Sequence, residues 1–308
     1  LRTRKDGENI KKSIVVVLVM LLLAFLIGYS IQKFDRDEDS AIWGYHAVLS
    51  TSVNSEKPTN KNVKVAILDS GISPHDDLKN KIVASYNAIQ SDQDPIDDLN
   101  HGTAIAGIIS SSQNKMGFSG IEKDNVEIYN VKVLDSQGKS DFQTVINGIE
   151  WSIKNEVDII NISFGFETNN LEFENVIKKA LANGIIIVAA SGNTLGLRVD
   201  YPAKYEGVIS VSALKSDFTI YSYSGKGKID YAAPGKNILS TDKNGGYSIF
   251  NGTSFATAFV TGSIAYILGN TNEKINSTNL NSLLAPYVKD LGLPGFDEEY
   301  GHGFIQLN

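Results

Sequence analysis

VKVAILDSGI, residues 63–72, decides how this chain is read. A mostly apolar, β-branched run passes directly into Asp-Ser-Gly, a turn signal. An apolar run this short, stopped by a glycine, fits a buried strand. The same pattern recurs in VEIYNVKVL (126–134), VDIINIS (157–163), GIIIVAAS (184–191) and GVISVSAL (207–214). Between these runs lie amphipathic stretches with helical spacing, at 142–155 and 172–183. Apolar strands separated by helices predict a parallel sheet covered on both faces, a three-layer, doubly wound, mostly parallel α/β fold. In such folds functional groups collect at the carboxyl ends of strands. Asp69 follows VAIL, Ser163 closes VDIINIS and Asn193 follows IIIVAAS, so each falls where a crevice is expected.

The wider composition fits one such domain. The chain has 308 residues, 42 % hydrophobic and 20 % charged, ordinary values for a globular core. No internal repeat or low-complexity tract interrupts it. It has no cysteine, which excludes disulfides and cysteine-based zinc sites but leaves the compartment open. The net charge is −7, although residues 1–12 are basic through Arg2, Arg4, Lys5, Lys11 and Lys12. The body is therefore acidic. That argues against nucleic acid as a partner and suits a basic peptide or bound cations.

Residues 13–31, SIVVVLVMLLLAFLIGYSI, carry no charge. They approach the roughly 20 residues needed to span a bilayer. Basic residues precede them, so the positive-inside rule keeps residues 1–12 in the cytoplasm and sends the rest outward. The expectation is a single-pass signal-anchor at the cell membrane, with 32–38 as a tether and 39–308 as the α/β domain. The alternative is secretion after cleavage near Gly28-Tyr29-Ser30, but the apolar run is long for a signal peptide and the site is weak.

Three further segments carry chemistry: Asp69-Ser70-Gly71-Ile72, Asn100-His101-Gly102-Thr103 and Asn251-Gly252-Thr253-Ser254. The last two each open an apolar helical run. Serine-based hydrolysis needs a base for the hydroxyl proton and an acid to orient that base. His101, Ser254 and Asp69 supply those types. Singly, each has an ordinary structural explanation as a turn, core or cap residue. No structural rule asks for all three together. The G-x-S-x-G elbow of α/β-hydrolases is absent.

DSGI, NHGT and NGTSFA, in the order Asp, His, Ser, resemble the active-site signatures of the subtilase family (peptidase family S8), serine proteases of the subtilisin type. Ser191-Gly192-Asn193 resembles the segment whose Asn donates to the oxyanion. The resemblance runs from about Trp43 to the C-terminus. It departs at Ala104, where the family usually has a second His, and at Ala258-Phe259, where Pro-His is usual. Neither group performs the chemistry, so a diverged branch is expected.

The resemblance implies more. An extended peptide would lie between the edges Gly138-Lys139-Ser140 and Ser163-Phe164-Gly165. Asp200, preceding Tyr201-Pro202, would form the base of the S1 pocket and favour Arg or Lys at P1, the residue before the cut bond. The competing reading of Asp200 is a solvated loop acid. Asp39, Asp77 and Asn114, with carbonyls from Ser112, Met116 and Phe118, correspond to a family calcium site, and oxygen ligands suit Ca²⁺. The short interval before Asp39 gives the expectation of folding without an N-terminal prodomain. Together these readings point to a membrane-anchored serine endopeptidase that processes exported peptides or proteins. A broad degradative surface protease and a non-catalytic peptide-binding pseudoprotease are the alternatives.

Overall fold

In the computed structural model, which describes residues 41–49, 61–113, 116–271 and 279–307, the VKVAIL run forms β1 (Val63–Asp69). β1 is fully buried apart from Lys64, because both of its faces are covered. Going along the chain, β2 is Ile82–Asn87, β3 Val126–Lys132, β4 Ile159–Ile162, β5 Ile186–Ala190, β6 Ile209–Leu214 and β7 Tyr231–Pro234. A hairpin follows, of β8 (Ile238–Thr241) and β9 (Tyr247–Phe250), and two short strands close the chain, β10 (Val288–Lys289) and β11 (Phe304–Ile305). The nine-stranded sheet has the order β10-β11-β7-β6-β5-β4-β1-β3-β2. Every pair in it is parallel except β10–β11. The expected mostly parallel α/β sheet is therefore present.

The helices are α1 (Trp43–Val48), α2 (Gly102–Ser110), α3 (Phe142–Lys154), α4 (Leu171–Ala182), α5 (Thr253–Gly269) and α6 (Leu280–Leu284). α3 and α4 start on side-chain caps, Asp141 accepting from the Thr144 N–H and Asn170 from the Phe173 N–H. They pack on each other and on one face of the sheet, where Val145, Ile149, Phe173 and Ile177 meet Leu68, Val131 and Ile162. Strand residues alternate faces, so Val65 and Ile67, equally buried, point the other way. α2 and α5 pack together there, and α5 also contacts the central strands. All of α5 except Tyr266 is buried, and it shows no polar face because protein surrounds it.

This wiring makes the site. β1 lies between β3 and β4, and the order in which strands are added reverses at that point. A crevice opens at the carboxyl ends where such a reversal occurs. Asp69 ends β1 and Ser163 follows β4. Residues 13–31 and the expected anchor lie outside the described residues. Among the described residues no helix is long and apolar enough to cross a membrane.

Leu68 is fully buried at the core below this crevice. Leu68→Ala is expected to cost about 2–5 kcal/mol and to lower the urea midpoint of unfolding, whereas a loss below about 1 kcal/mol would contradict this account of the core.

Candidate active site

Asp69 is buried at the end of β1, where the chain leaves the sheet. Its Oδ1 accepts from the Ser70 N–H at 2.7 Å and from His101 Nδ1, also at 2.7 Å. His101 is the residue before α2, with a backbone that is neither helical nor extended, and its ring reaches back to β1. Gly102 follows because a Cβ there would collide with the Gly71 carbonyl. The ring is 21 % exposed, enough for solvent or substrate to reach it.

Two opposing effects set the basicity of the ring. Burial works to lower its pKa. The Asp69 carboxylate, through charge and hydrogen bond, and the Asp97 charge outweigh burial and hold the pKa above the ordinary 6.5.

Ser254 is in the first turn of α5, where backbone N–H groups have no intrahelical acceptor. Its hydroxyl donates to the Ser163 carbonyl at 2.7 Å. The structure thus joins Asp69 to His101 and rests the Ser254 hydroxyl on the strand end of β4. The Ser163 hydroxyl returns a bond to the Ser254 carbonyl at 3.2 Å and accepts from Asn161 Nδ2 at 2.8 Å. Asn193 Oδ1 accepts from the Thr253 N–H at 3.2 Å and the Thr253 hydroxyl at 3.4 Å. The amide oxygen is occupied on the helix, which leaves the Nδ2 donors out of that contact. Nδ2 lies 3.2 Å from where a Cβ on Gly252 would stand, next to the chain that leads into Ser254.

The peptide-edge residues are near this centre. Gly138 has φ +72° and lies against Leu99, two residues before His101. Lys139 is committed to its own turn: its N–H donates to Asp135 Oδ1 and its carbonyl accepts from the Asp135 N–H. The Gly138 carbonyl and the Ser140 N–H take no part in these bonds. Phe164 packs edge-on against Phe166. Gly165 and Gly192 border Asp200: a Cβ on Gly165 would stand 2.7 Å from Asp200 Cβ, and one on Gly192 would stand 2.5 Å from Asp200 Oδ2. The carboxylate is recessed between two residues without side chains, and its exposure is 15 %.

Of the calcium residues, Asp39 and Asn114 lie outside the described residues. Asp77 Oδ2 accepts from the Tyr247 hydroxyl at 2.8 Å, and its carbonyl accepts from the Ser112 N–H. Among the described residues no three His, Cys, Asp or Glu side chains gather closely enough to hold a metal.

Sequence reasoning missed the groups that brace the centre. Asp97 is buried and accepts from the Ser70 hydroxyl and from the N–H groups of Leu99, Asn100 and His101 on one oxygen. Its other oxygen accepts from the N–H and hydroxyl of Thr103. Burial alone would raise the Asp97 pKa, but these donors reverse that and hold it below the usual carboxylate value. Lys132, buried opposite Asp69, donates to the Ser70 carbonyl at 2.6 Å and to Asp98 Oδ1 at 2.8 Å. Both residues tie the loop after β1 to the loop that carries His101. An Asp four residues before His101 suggests a turn-former, but its six donors come from two separate parts of the chain, Ser70 and residues 99–103.

A parallel α/β sheet with an Asp–His pair and a helix-borne Ser at its switch point defines a serine hydrolase of the subtilisin type. The subtilase family profile matches residues 60–303. The minor extracellular protease Epr of Bacillus subtilis (strain 168) is 40 % identical over 250 residues, 80 % of this chain and 38 % of Epr. Subtilisin of Bacillus pumilus is 40 % identical over 236 residues, covering 74 % of this chain and 85 % of that protein. Subtilisin E of Bacillus subtilis (strain 168) is also 40 % identical over 236 residues. The chain spans 38 % of the length of Epr and 61 % of that of subtilisin E. This chain belongs to the subtilase family.

The raised pKa of His101 fixes the pH response. Only the neutral ring can take a proton, so kcat/KM should rise with pH through a midpoint above 6.5. By linkage, the same shift stabilises the fold below the ordinary pKa, and this contribution is lost as pH rises through the raised one. An acid limb centred below 6.5 would contradict the arrangement.

Proposed function

We propose that Asp69, His101 and Ser254 form the catalytic triad and Asn193 donates to the oxyanion. The Asp69–His101 bond commits the Nδ1 proton to the carboxylate and leaves Nε2 as the base. In the resting arrangement Ser254 donates to the Ser163 carbonyl. A substrate main-chain N–H bound at that carbonyl replaces the hydroxyl there. Ser254 then turns to His101 and attacks the scissile carbonyl as Nε2 takes its proton. The tetrahedral oxygen accepts from Asn193 Nδ2 and the Ser254 N–H. His101 returns the proton to the leaving amine, and water completes the cycle by the reverse steps. Removing a side-chain oxyanion donor costs about 10²–10³ in kcat, a magnitude established on subtilisin itself.

The substrate is an extended peptide held by the main chain of 138–140 and 163–165. Its P1 residue is Arg or Lys, and the observation that carries this reading is the recessed Asp200 carboxylate between Gly165 and Gly192. A basic side chain adds a second cationic partner to a carboxylate whose Oδ1 is already held by Arg198, whereas an apolar one adds none and dries the site. The biological task is processing of exported peptides or proteins by a domain held at the outer face of the membrane. The uncharged run 13–31 supports that location. A structural Ca²⁺ would be held by Asp39, Asp77 and Asn114 with neighbouring carbonyls, an oxygen set suited to that ion; it takes no part in the chemistry.

Two measurements test this. Labelling by a fluorophosphonate probe should occur in the native chain and vanish in Ser254→Ala. In a peptide panel varied only at P1, Arg and Lys should lead, and Asp200→Asn should lose that lead by about tenfold or more, the scale of one charge-assisted pair. A strong preference for Leu or Phe would sink the P1 assignment.

A further inference from the structure

Asp200 has a companion at the base of the proposed pocket. Its Oδ1 accepts from Arg198 Nε at 3.0 Å, and Arg198 Nη1 lies 3.4 Å from Glu167 Oε1. The three side chains differ in setting: Glu167 is 70 % exposed, Arg198 39 % and Asp200 15 %. One guanidinium is therefore shared between a water-facing carboxylate and a recessed one. The Arg198 main chain is anchored as well, its carbonyl accepting from the Thr194 hydroxyl.

The two oxygens of Asp200 are in different positions. Oδ1 is engaged by Arg198, while Oδ2 lies against Gly192, the residue immediately before Asn193. A cation entering beside Gly192 meets a carboxylate with one oxygen already in use. That matters differently for the two basic side chains. The lysine ammonium is a compact point charge that one oxygen can hold. The advantage of arginine lies in its fork, which pairs with both oxygens of one carboxylate. The positive charge of Arg198 also opposes a second guanidinium more closely than it opposes a single ammonium on the far oxygen.

We propose that Arg198 is a specificity-determining residue: by holding Oδ1 of Asp200 it leaves the P1 side chain one carboxylate oxygen, so that the pocket takes lysine ahead of arginine. The inference rests on the reading of Asp200 as the base of the S1 pocket. Glu167 moderates the effect by drawing the guanidinium toward solvent.

The test uses three peptides identical except for Lys, Arg or Gln at P1, cut by the native enzyme and by Arg198→Gln, Glu167→Gln and Asp200→Asn. Fluorophosphonate titration gives the concentration of folded enzyme in each. The native enzyme should cut after Lys faster than after Arg. Arg198→Gln frees both oxygens, and the Arg-to-Lys ratio of kcat/KM should rise about tenfold, the scale of one added charge-assisted bond. Glu167→Gln, at an exposed position that tolerates change, leaves Arg198 wholly on Asp200. Both basic rates should then fall about threefold relative to Gln, the scale of an exposed ion pair. If Arg198→Gln yields no titratable enzyme, Glu167→Gln decides the matter alone. Suppose Asp200→Asn removes the basic preference while the other two variants keep the native ratios: the role of Arg198 is then overturned and the S1 reading stands. If Asp200→Asn keeps the native ratios, the S1 reading falls and this inference falls with it.

Discussion

A 2.7 Å hydrogen bond from His101 Nδ1 to Asp69 Oδ1 joins the end of β1 to the start of a helix 32 residues later. The rest of the site is built to make that bond unavoidable. Asp69 is held in place because β1 pairs with β3 from Val63 to Asp69 and with β4 from Val65 to Leu68. His101 cannot drift, because Asp97 gathers the loop before it and the first turn after it onto one carboxylate. Gly102 lets that turn come against the Gly71 carbonyl, an approach a side chain would block. Lys132 closes the arrangement from below by linking the Ser70 carbonyl to Asp98. A buried lysine is costly unless its charge is met, and here it is met by a carboxylate and a carbonyl of the two loops it connects.

The serine side of the site is organised separately. α5 is buried around its circumference, so its first turn is fixed by packing before any polar contact is made. Thr253 then orients Asn193, and Ser163 receives the Ser254 hydroxyl. Asn161 and Thr261 continue the link between β4 and α5 through a 2.8 Å hydrogen bond. The Ser254 hydroxyl therefore occupies the carbonyl that, in the proposed mechanism, an extended peptide would use, and that mechanism couples substrate binding to release of the nucleophile.

Much of this was legible in the sequence because the strands are covered on both faces. VEIYNVKVL, VDIINIS, GIIIVAAS and GVISVSAL each contain a strand, and β1 runs one residue beyond VKVAIL. β2 was not seen, since IVASYN lies at the sheet edge and is only partly buried. The β8–β9 hairpin was hidden for a similar reason: its outer strand is half-exposed, and its signal is a short turn around Gly245-Gly246. Asp69, His101, Asn193 and Ser254 could be read from local motifs. Asp97 could not, because DPIDDLN looks like a solvated acidic loop until Ser70 and Thr103 are brought to it. Arg198 was equally opaque. In sequence it is a lone loop cation, and its importance comes from sharing a recessed carboxylate with whatever enters the crevice.

Asp69→Asn tests the Asp69–His101 bond with the shape of the site preserved. An amide in place of the carboxylate donates rather than accepts at one position and removes the charge that favours the imidazolium. Steady-state kinetics on active-site-titrated enzyme should give a kcat about 10⁴-fold below native with KM little changed, the scale seen when the orienting Asp of a serine triad is replaced. A folded Asp69→Asn enzyme within tenfold of native kcat would contradict the central claim.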